Sequence, residues 1–158
     1  MFKLEKLSEV ENKIISKFTN QELVKKYIDD CLSDGYDPDI EDIVQSISYT
    51  ATGSFVQKLN AISDLLDDSG VERSLLNKID GNLQDPSYQV IDGTLGIIYE
   101  LENESYIAML YMDMLPLLSK HLKSYFGEEV IIFINGSNIN SHFKLDIPQA
   151  LTEYGVNF

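Results

Sequence analysis

The octapeptide Asp80-Gly81-Asn82-Leu83-Gln84-Asp85-Pro86-Ser87 constrains the fold more than any other stretch, because hydrophobic periodicity changes across it. Before it, apolar residues recur at helical spacing; after it, short apolar runs alternate or cluster as strands do. The chain of 158 residues is of single-domain size. The loop therefore reads as the junction between a helical subregion, 1–80, and a sheet-containing subregion, 88–158, of one domain. Each half alone would make a thin core. The expected class is α+β: about five helices packed with a small, mainly antiparallel sheet plus one or two further helices.

In the first half, Leu7, Val10, Ile14, Ile15 and Phe18 define the inward face of a helix over 4–18. Thr19-Asn20-Gln21-Glu22 has the pattern of a capping box with Thr19 as N-cap. The helix it opens would turn Leu23, Val24, Tyr27, Ile28, Cys31 and Leu32 inward and stop at Gly35. Tyr36-Asp37-Pro38-Asp39 reads as a turn that places Asp37 or Asp39 at an N-cap. A third helix carries Ile40, Ile43, Val44 and Ile47, and Thr50-Ala51-Thr52-Gly53 breaks the pattern. Ser54 then caps a fourth helix with Phe55, Leu59, Ile62, Leu65 and Leu66 inward, and a short fifth holds Val71, Leu75, Leu76 and Ile79.

In the second half, Asp92-Gly93 between two strand-like runs is a two-residue hairpin signal, predicting strands over 88–91 and 94–101. The segment 105–112 fits a strand or the start of a helix, and the strand is preferred because Pro116 would break one long helix. A helix over 115–126 stops at Gly127. Val130-Ile131-Ile132-Phe133-Ile134 reads as a strand buried on both faces. Phe143, Leu145 and Ile147 alternate with polar residues as a half-exposed strand, and Pro148 suits the first turn of a last short helix.

Charge is distributed unevenly over this framework. Between Asp29 and Glu72 lie eleven acids and one base, Lys58, a net of −10 in a chain whose net charge is −14. The first 28 residues are net +2. Asp29, Asp30 and Asp34, and again Asp64, Asp67 and Asp68, fall near helix C-termini, where the macrodipole makes acids unfavourable. Asp37, Asp39, Glu41 and Asp42 sit near a helix start, where it favours them. Ordinary helix surfaces mix signs, since Glu–Lys pairs stabilise and like pairs repel. An unneutralised field of this kind points to a partner of opposite charge. The overall pI near 4.3 argues against phosphate-backbone binding and against anionic membrane surfaces.

Signatures of catalysis are missing from the sequence. Gly93-Thr94-Leu95-Gly96 lacks the lysine and spacing of a phosphate loop. His121 and His142 have no neighbouring ligand pattern, and His121, beside Lys120 and Lys123, reads as a surface or helix-end histidine. Ser137 and Ser141 flank His142 without a nucleophile-elbow motif. Asp37-x-Asp39-x-Glu41-Asp42 lacks the glycine and terminal glutamate of a calcium loop. Glu100-x-Glu102-x-Glu104 lacks the nearby lysine of a metal nuclease and reads as a solvated hairpin tip. Cys31, the only cysteine, falls on an apolar helix face, as a buried inert thiol would. The N-terminus has no apolar signal-peptide core, and no apolar run is long enough to span a bilayer.

The resulting expectation is a cytoplasmic protein with no cofactor, metal, nucleic-acid or membrane partner. It is a non-enzymatic, acidic inhibitor that binds a basic protein such as a bacterial toxin nuclease domain or another nucleic-acid-binding effector. Small size and acidity give it the profile of bacterial immunity proteins and phage-encoded defence inhibitors, without a shared motif. The binding residues expected are Asp29, Asp30, Asp34, Asp37, Asp39, Glu41, Asp42, Asp64, Asp67, Asp68 and Glu72, with Tyr36 and Tyr49 as aromatic anchors. The alternatives are a structural or adaptor protein whose acidity serves solubility, and an enzyme using carboxylates with a divalent metal.

Overall fold

The computed structural model describes residues 5–61, 81, 83, 85–100, 117–134 and 137–138. The part of the expected fourth helix beyond residue 61, the expected short fifth helix over 71–79, the segment 105–112, the strand over 143–147 and the last helix lie outside them. Three N-terminal helices, α1 (Glu9–Ser16), α2 (Gln21–Ser33) and α3 (Ile40–Ala61), precede strands β1 (Ser87–Ile91) and β2 (Thr94–Tyr99). Helix α4 (117–126) then leads to β3 (Ile131–Ile134) and the two-residue β4 (Ser137–Asn138). An α+β architecture results.

The helix ends follow local chemistry, with two corrections to the sequence reading. The capping box belongs to α1: the Ser8 hydroxyl accepts from the Glu11 amide while the Glu11 carboxylate accepts from the Ser8 amide. At α2 the N-cap is Asn20, whose side chain accepts from the Leu23 amide. Thr19 instead donates its amide to the Tyr125 carbonyl of α4, so a tertiary bond displaced the local cap. Helix α2 ends in a Schellman turn, with Gly35 at φ +85°, its amide on the Leu32 carbonyl and the Tyr36 amide on the Cys31 carbonyl. Asp39 caps α3, its side chain accepting from the Asp42 amide at 2.8 Å.

The expected third and fourth helices are one helix. Helix α3 continues for 22 residues through Thr50-Ala51-Thr52-Gly53, and Ser54 is interior to it and not its cap. The reason is tertiary. Ile40, Ile43, Val44, Ile47, Ala51, Phe55 and Val56 form one buried stripe only if the helix is unbroken. Each large side chain so buried contributes about 1.5–3 kcal/mol, against a cost of about 1 kcal/mol for a mid-helix glycine. Thr50 is accommodated by donating its hydroxyl to the Ser46 carbonyl. Two residues expected inward are outward: Val10 is 47% exposed and Leu32 52%, so the stripes of α1 and α2 are narrower than their apolar content suggested.

The sheet has the order β1-β2-β3-β4. Strands β1 and β2 form the expected hairpin, with Asp92 at φ 49° and Gly93 at φ 77°, the twin positive angles of a type I′ turn. The central pairing, β2 with β3, is parallel, and β3 with β4 is antiparallel, so the sheet is mixed, where a mainly antiparallel one was expected. A parallel pair requires a crossover, and α4 is the described part of it. Leu95, Ile97 and Tyr99 of β2 and Ile132 and Ile134 of β3 share the face turned to the helices. Ile131 and Phe133 are only half-buried, so β3 is not fully buried on both faces. Helix α4 joins the same core through Leu117, Leu118, Leu122 and Phe126, and Phe126 meets Phe18 edge-on at 5.1 Å.

Candidate functional site

Acidic side chains wrap the turn between α2 and α3. Asp29, Asp30 and Asp34 are exposed on the C-terminal half of α2; Asp37 and Asp39 are exposed in the turn; Glu41 is exposed and Asp42 half-buried in the first turn of α3. Asp64, Asp67, Asp68 and Glu72 lie outside the described residues. Two tyrosines tie the rim together. Tyr36, 54% exposed, has its hydroxyl pushed above the usual range first by the adjacent Cys31 thiol, then by slight desolvation and the Asp34 and Asp42 carboxylates. Tyr88 of β1 is raised first by burial, then by Glu11, with Asp39 and Glu41 adding. Its hydroxyl donates to the Glu11 carboxylate at 3.4 Å.

Glu11 thus belongs to the acidic rim, although the sequence places it in the near-neutral N-terminal segment. The rim also has a base of its own. Lys6, from the chain preceding α1, forms an exposed ion pair with Asp37. Asp37 is consequently the one rim carboxylate neutralised among the described residues, and its contribution to an external partner is reduced.

Tyr49 lies two helical turns beyond Asp42, about 10 Å along α3, and is 55% exposed. It lines an open cleft of about 260 Å³ with Tyr27 of α2, Gln45 and Ser46 of α3, and Asp85 of the junction loop. The Tyr27 hydroxyl is hydrogen-bonded to the Thr50 hydroxyl, which braces α2 on α3. Gln45 donates its side-chain amide to the Pro86 carbonyl at 3.5 Å, which holds the loop beside α3. Tyr27 and Asp85 were not expected at a site. Tyr27 reads as a core position by spacing, and Asp85 reads as a loop residue until the loop is seen against α3.

A second polar cluster is buried under α3. Ser48 and Thr52, one turn apart, are fully buried, as is Tyr99 of β2, and His121 of α4 is 3% exposed. Ser48 Oγ, Thr52 Oγ1, Tyr99 Oη and His121 Nε2 have no hydrogen-bond partner among the described residues. His121 is therefore not the surface histidine its lysine neighbours suggested. Its ring lies 5.8 Å from that of Phe55 and 5.3 Å from that of Tyr125. Desolvation first, then the Lys58 charge, lower its pKa, partly opposed by the Ala51 backbone, so the neutral imidazole is favoured. Burial pushes the Tyr99 hydroxyl well above its ordinary range; nearby Ser48 opposes this slightly without reaching hydrogen-bonding geometry.

Among the described residues no three His, Cys, Asp or Glu side chains converge as a metal site. Asp39 is committed to its helix cap and Asp37 to Lys6. Cys31 is buried, as expected. Glu102, Glu104, Ser141 and His142 lie outside the described residues. No described helix is long and apolar enough to cross a membrane. Comparison with family models finds no significant match, and comparisons with curated proteins and with solved structures find none either.

Proposed function

We propose that this chain is a non-enzymatic acidic inhibitor of the immunity type, which binds a basic protein such as a toxin nuclease domain and occludes its nucleic-acid groove. The observation that supports this reading best is the rim of Asp29, Asp30, Asp34, Asp39, Glu41 and Asp42 around the turn between α2 and α3, with Lys6 its one ion-pairing base among the described residues. Like charges held side by side raise the energy of the free protein, and a cationic surface relieves that repulsion on binding. The same field accelerates encounter, an effect that weakens as salt shortens the screening length to about 8 Å at physiological ionic strength. A nuclease groove built to neutralise phosphates offers the complementary surface. The protein is read as acting in the cytoplasm, where such a target would otherwise meet its substrate.

The test begins with mass-spectrometric identification of what copurifies with the chain from its native cell. A basic nuclease or nucleic-acid-binding effector supports the reading; a capsid or cytoskeletal subunit overturns it in favour of a structural or adaptor role. With the partner in hand, stopped-flow association should slow steeply as salt rises. Asp39→Asn and Asp42→Asn should reproduce part of that loss at low salt, and Asp37→Asn less of it because Lys6 already neutralises Asp37. Association indifferent to both salt and these substitutions would remove the electrostatic mechanism.

A further inference from the structure

We propose that the cleft between Tyr27, Tyr49 and Asp85 is the socket for an arginine side chain of the basic partner. The inference rests on the acidic-inhibitor reading and assigns its anchor point. The cleft, at about 260 Å³, has room for one long side chain, and its walls combine two tyrosines with one carboxylate. A guanidinium is the group this lining fits. It is planar and weakly hydrated, it stacks on aromatic rings, and its fork of N–H donors matches a carboxylate. Asp85 is exposed and makes no ion pair among the described residues, so its oxygens remain available. Gln45 and Ser46 add amide and hydroxyl groups at the same wall.

The socket is preformed. The Tyr27–Thr50 hydroxyl contact fixes α2 against α3, and the Gln45–Pro86 hydrogen bond ties the residue next to Asp85 to α3. An incoming side chain therefore meets ordered walls, which lowers the entropic cost of binding. Charge complementarity selects the occupant. Asp42 lies one helical turn before Ser46, and Asp30 one turn after Tyr27, so the acidic rim borders the cleft. Lys26, adjacent to Tyr27 in sequence, is exposed, but one residue along a helix turns a side chain by about 100° and away from that wall. The sequence reading chose Tyr49 as an anchor to be buried in the partner. Under this proposal Tyr49 instead forms part of a receptacle.

The test uses the full chain and two synthetic peptides, hexa-arginine and hexa-lysine, titrated at low salt and followed by amide chemical shifts. The expected result is movement of the Tyr27, Gln45, Ser46, Tyr49 and Asp85 resonances, with hexa-arginine binding about three- to tenfold tighter than hexa-lysine. Tyr49→Leu and Asp85→Asn should each abolish most of that preference, and Tyr49→Phe should retain it. Both positions are exposed, and an unchanged amide spectrum elsewhere establishes that the variants fold. Shifts confined to the Asp29–Asp42 rim, with equal affinity for the two peptides, would overturn the socket and leave the acidic-inhibitor reading standing. No binding of either peptide at low salt would remove both.

Discussion

The two sides of α3 handle polarity in opposite ways. Its outer side begins in the acidic rim, where Glu41 and Asp42 share their charge with solvent, and continues to the half-exposed Tyr49. Its inner side buries Ser48 and Thr52 against Tyr99 and His121 with no hydrogen-bond partner among the described residues. The outer side carries formal charge at modest energetic cost, because water and salt screen it. The inner side carries no formal charge while His121 is neutral, yet a buried polar atom without a partner costs more than a screened surface charge, because it gives up its water without replacement. Charge density and energetic consequence are therefore separated on one helix. The rim lies at the surface, open to solvent; the seam lies in the core.

That separation can be broken experimentally, beginning with the hydrophobic stripe that carries both sides. Phe55→Ala should destabilise the protein by about 3–5 kcal/mol in urea unfolding, because the ring is fully buried and also contacts the His121 imidazole. A loss under about 1 kcal/mol would mean that α3 is not the spine of the core.

The seam should respond next. Thr52→Val replaces a buried hydroxyl that has no hydrogen-bond partner among the described residues by a methyl group of similar shape, and should stabilise by about 1 kcal/mol. Destabilisation would show that the hydroxyl has a partner, and the contrast with the rim would weaken.

His121 supplies the pH dependence. Its folded-state pKa lies below the unfolded value of 6.5, so the unfolded chain binds more protons between the two. Stability is then complete above about pH 6.5 and falls as the solution is acidified through that value, levelling off below the folded-state pKa. His121→Leu should flatten this part of the profile, measured by thermal unfolding across pH 5–8, in the range where histidine titrates. An unchanged slope would assign the acid sensitivity elsewhere.

The smallest effect belongs to the rim. Asp34 sits at the C-cap of α2, against the helix dipole. Asp34→Asn should raise stability by a few tenths of a kcal/mol at low salt, and the gain should vanish at high salt. The same substitution should slow association with a cationic partner. A rim acid that proves more costly to remove than Thr52 would invert the comparison.

Much of the framework was legible in the sequence. The Asp92-Gly93 hairpin, the Gly35 and Gly127 stops and the Asp39 cap depend on residues close together in the chain, and they appear as expected. The rim from Asp29 to Asp42 was legible for the same reason, since a turn between helices keeps sequence neighbours together. Glu11 and Asp85 were not, because one reaches the rim through Tyr88 and the other reaches the cleft through Pro86 and Gln45. The lysines beside His121 misled, because on a helix they mark the neighbouring faces and say nothing of the face the imidazole itself occupies.

The sequence by itself determined the class of fold, the hairpin turn, the Gly35 and Gly127 stops and the concentration of negative charge, all of which follow from composition, backbone preferences and period. Only the tertiary structure decided that α3 is continuous through Gly53, that β2 and β3 run parallel, that His121 is buried and that Tyr49 lines a cleft. The continuity of α3 sets a local preference of about 1 kcal/mol against the burial of several large side chains at once, and burial wins because it adds up over the whole stripe while propensity acts one residue at a time.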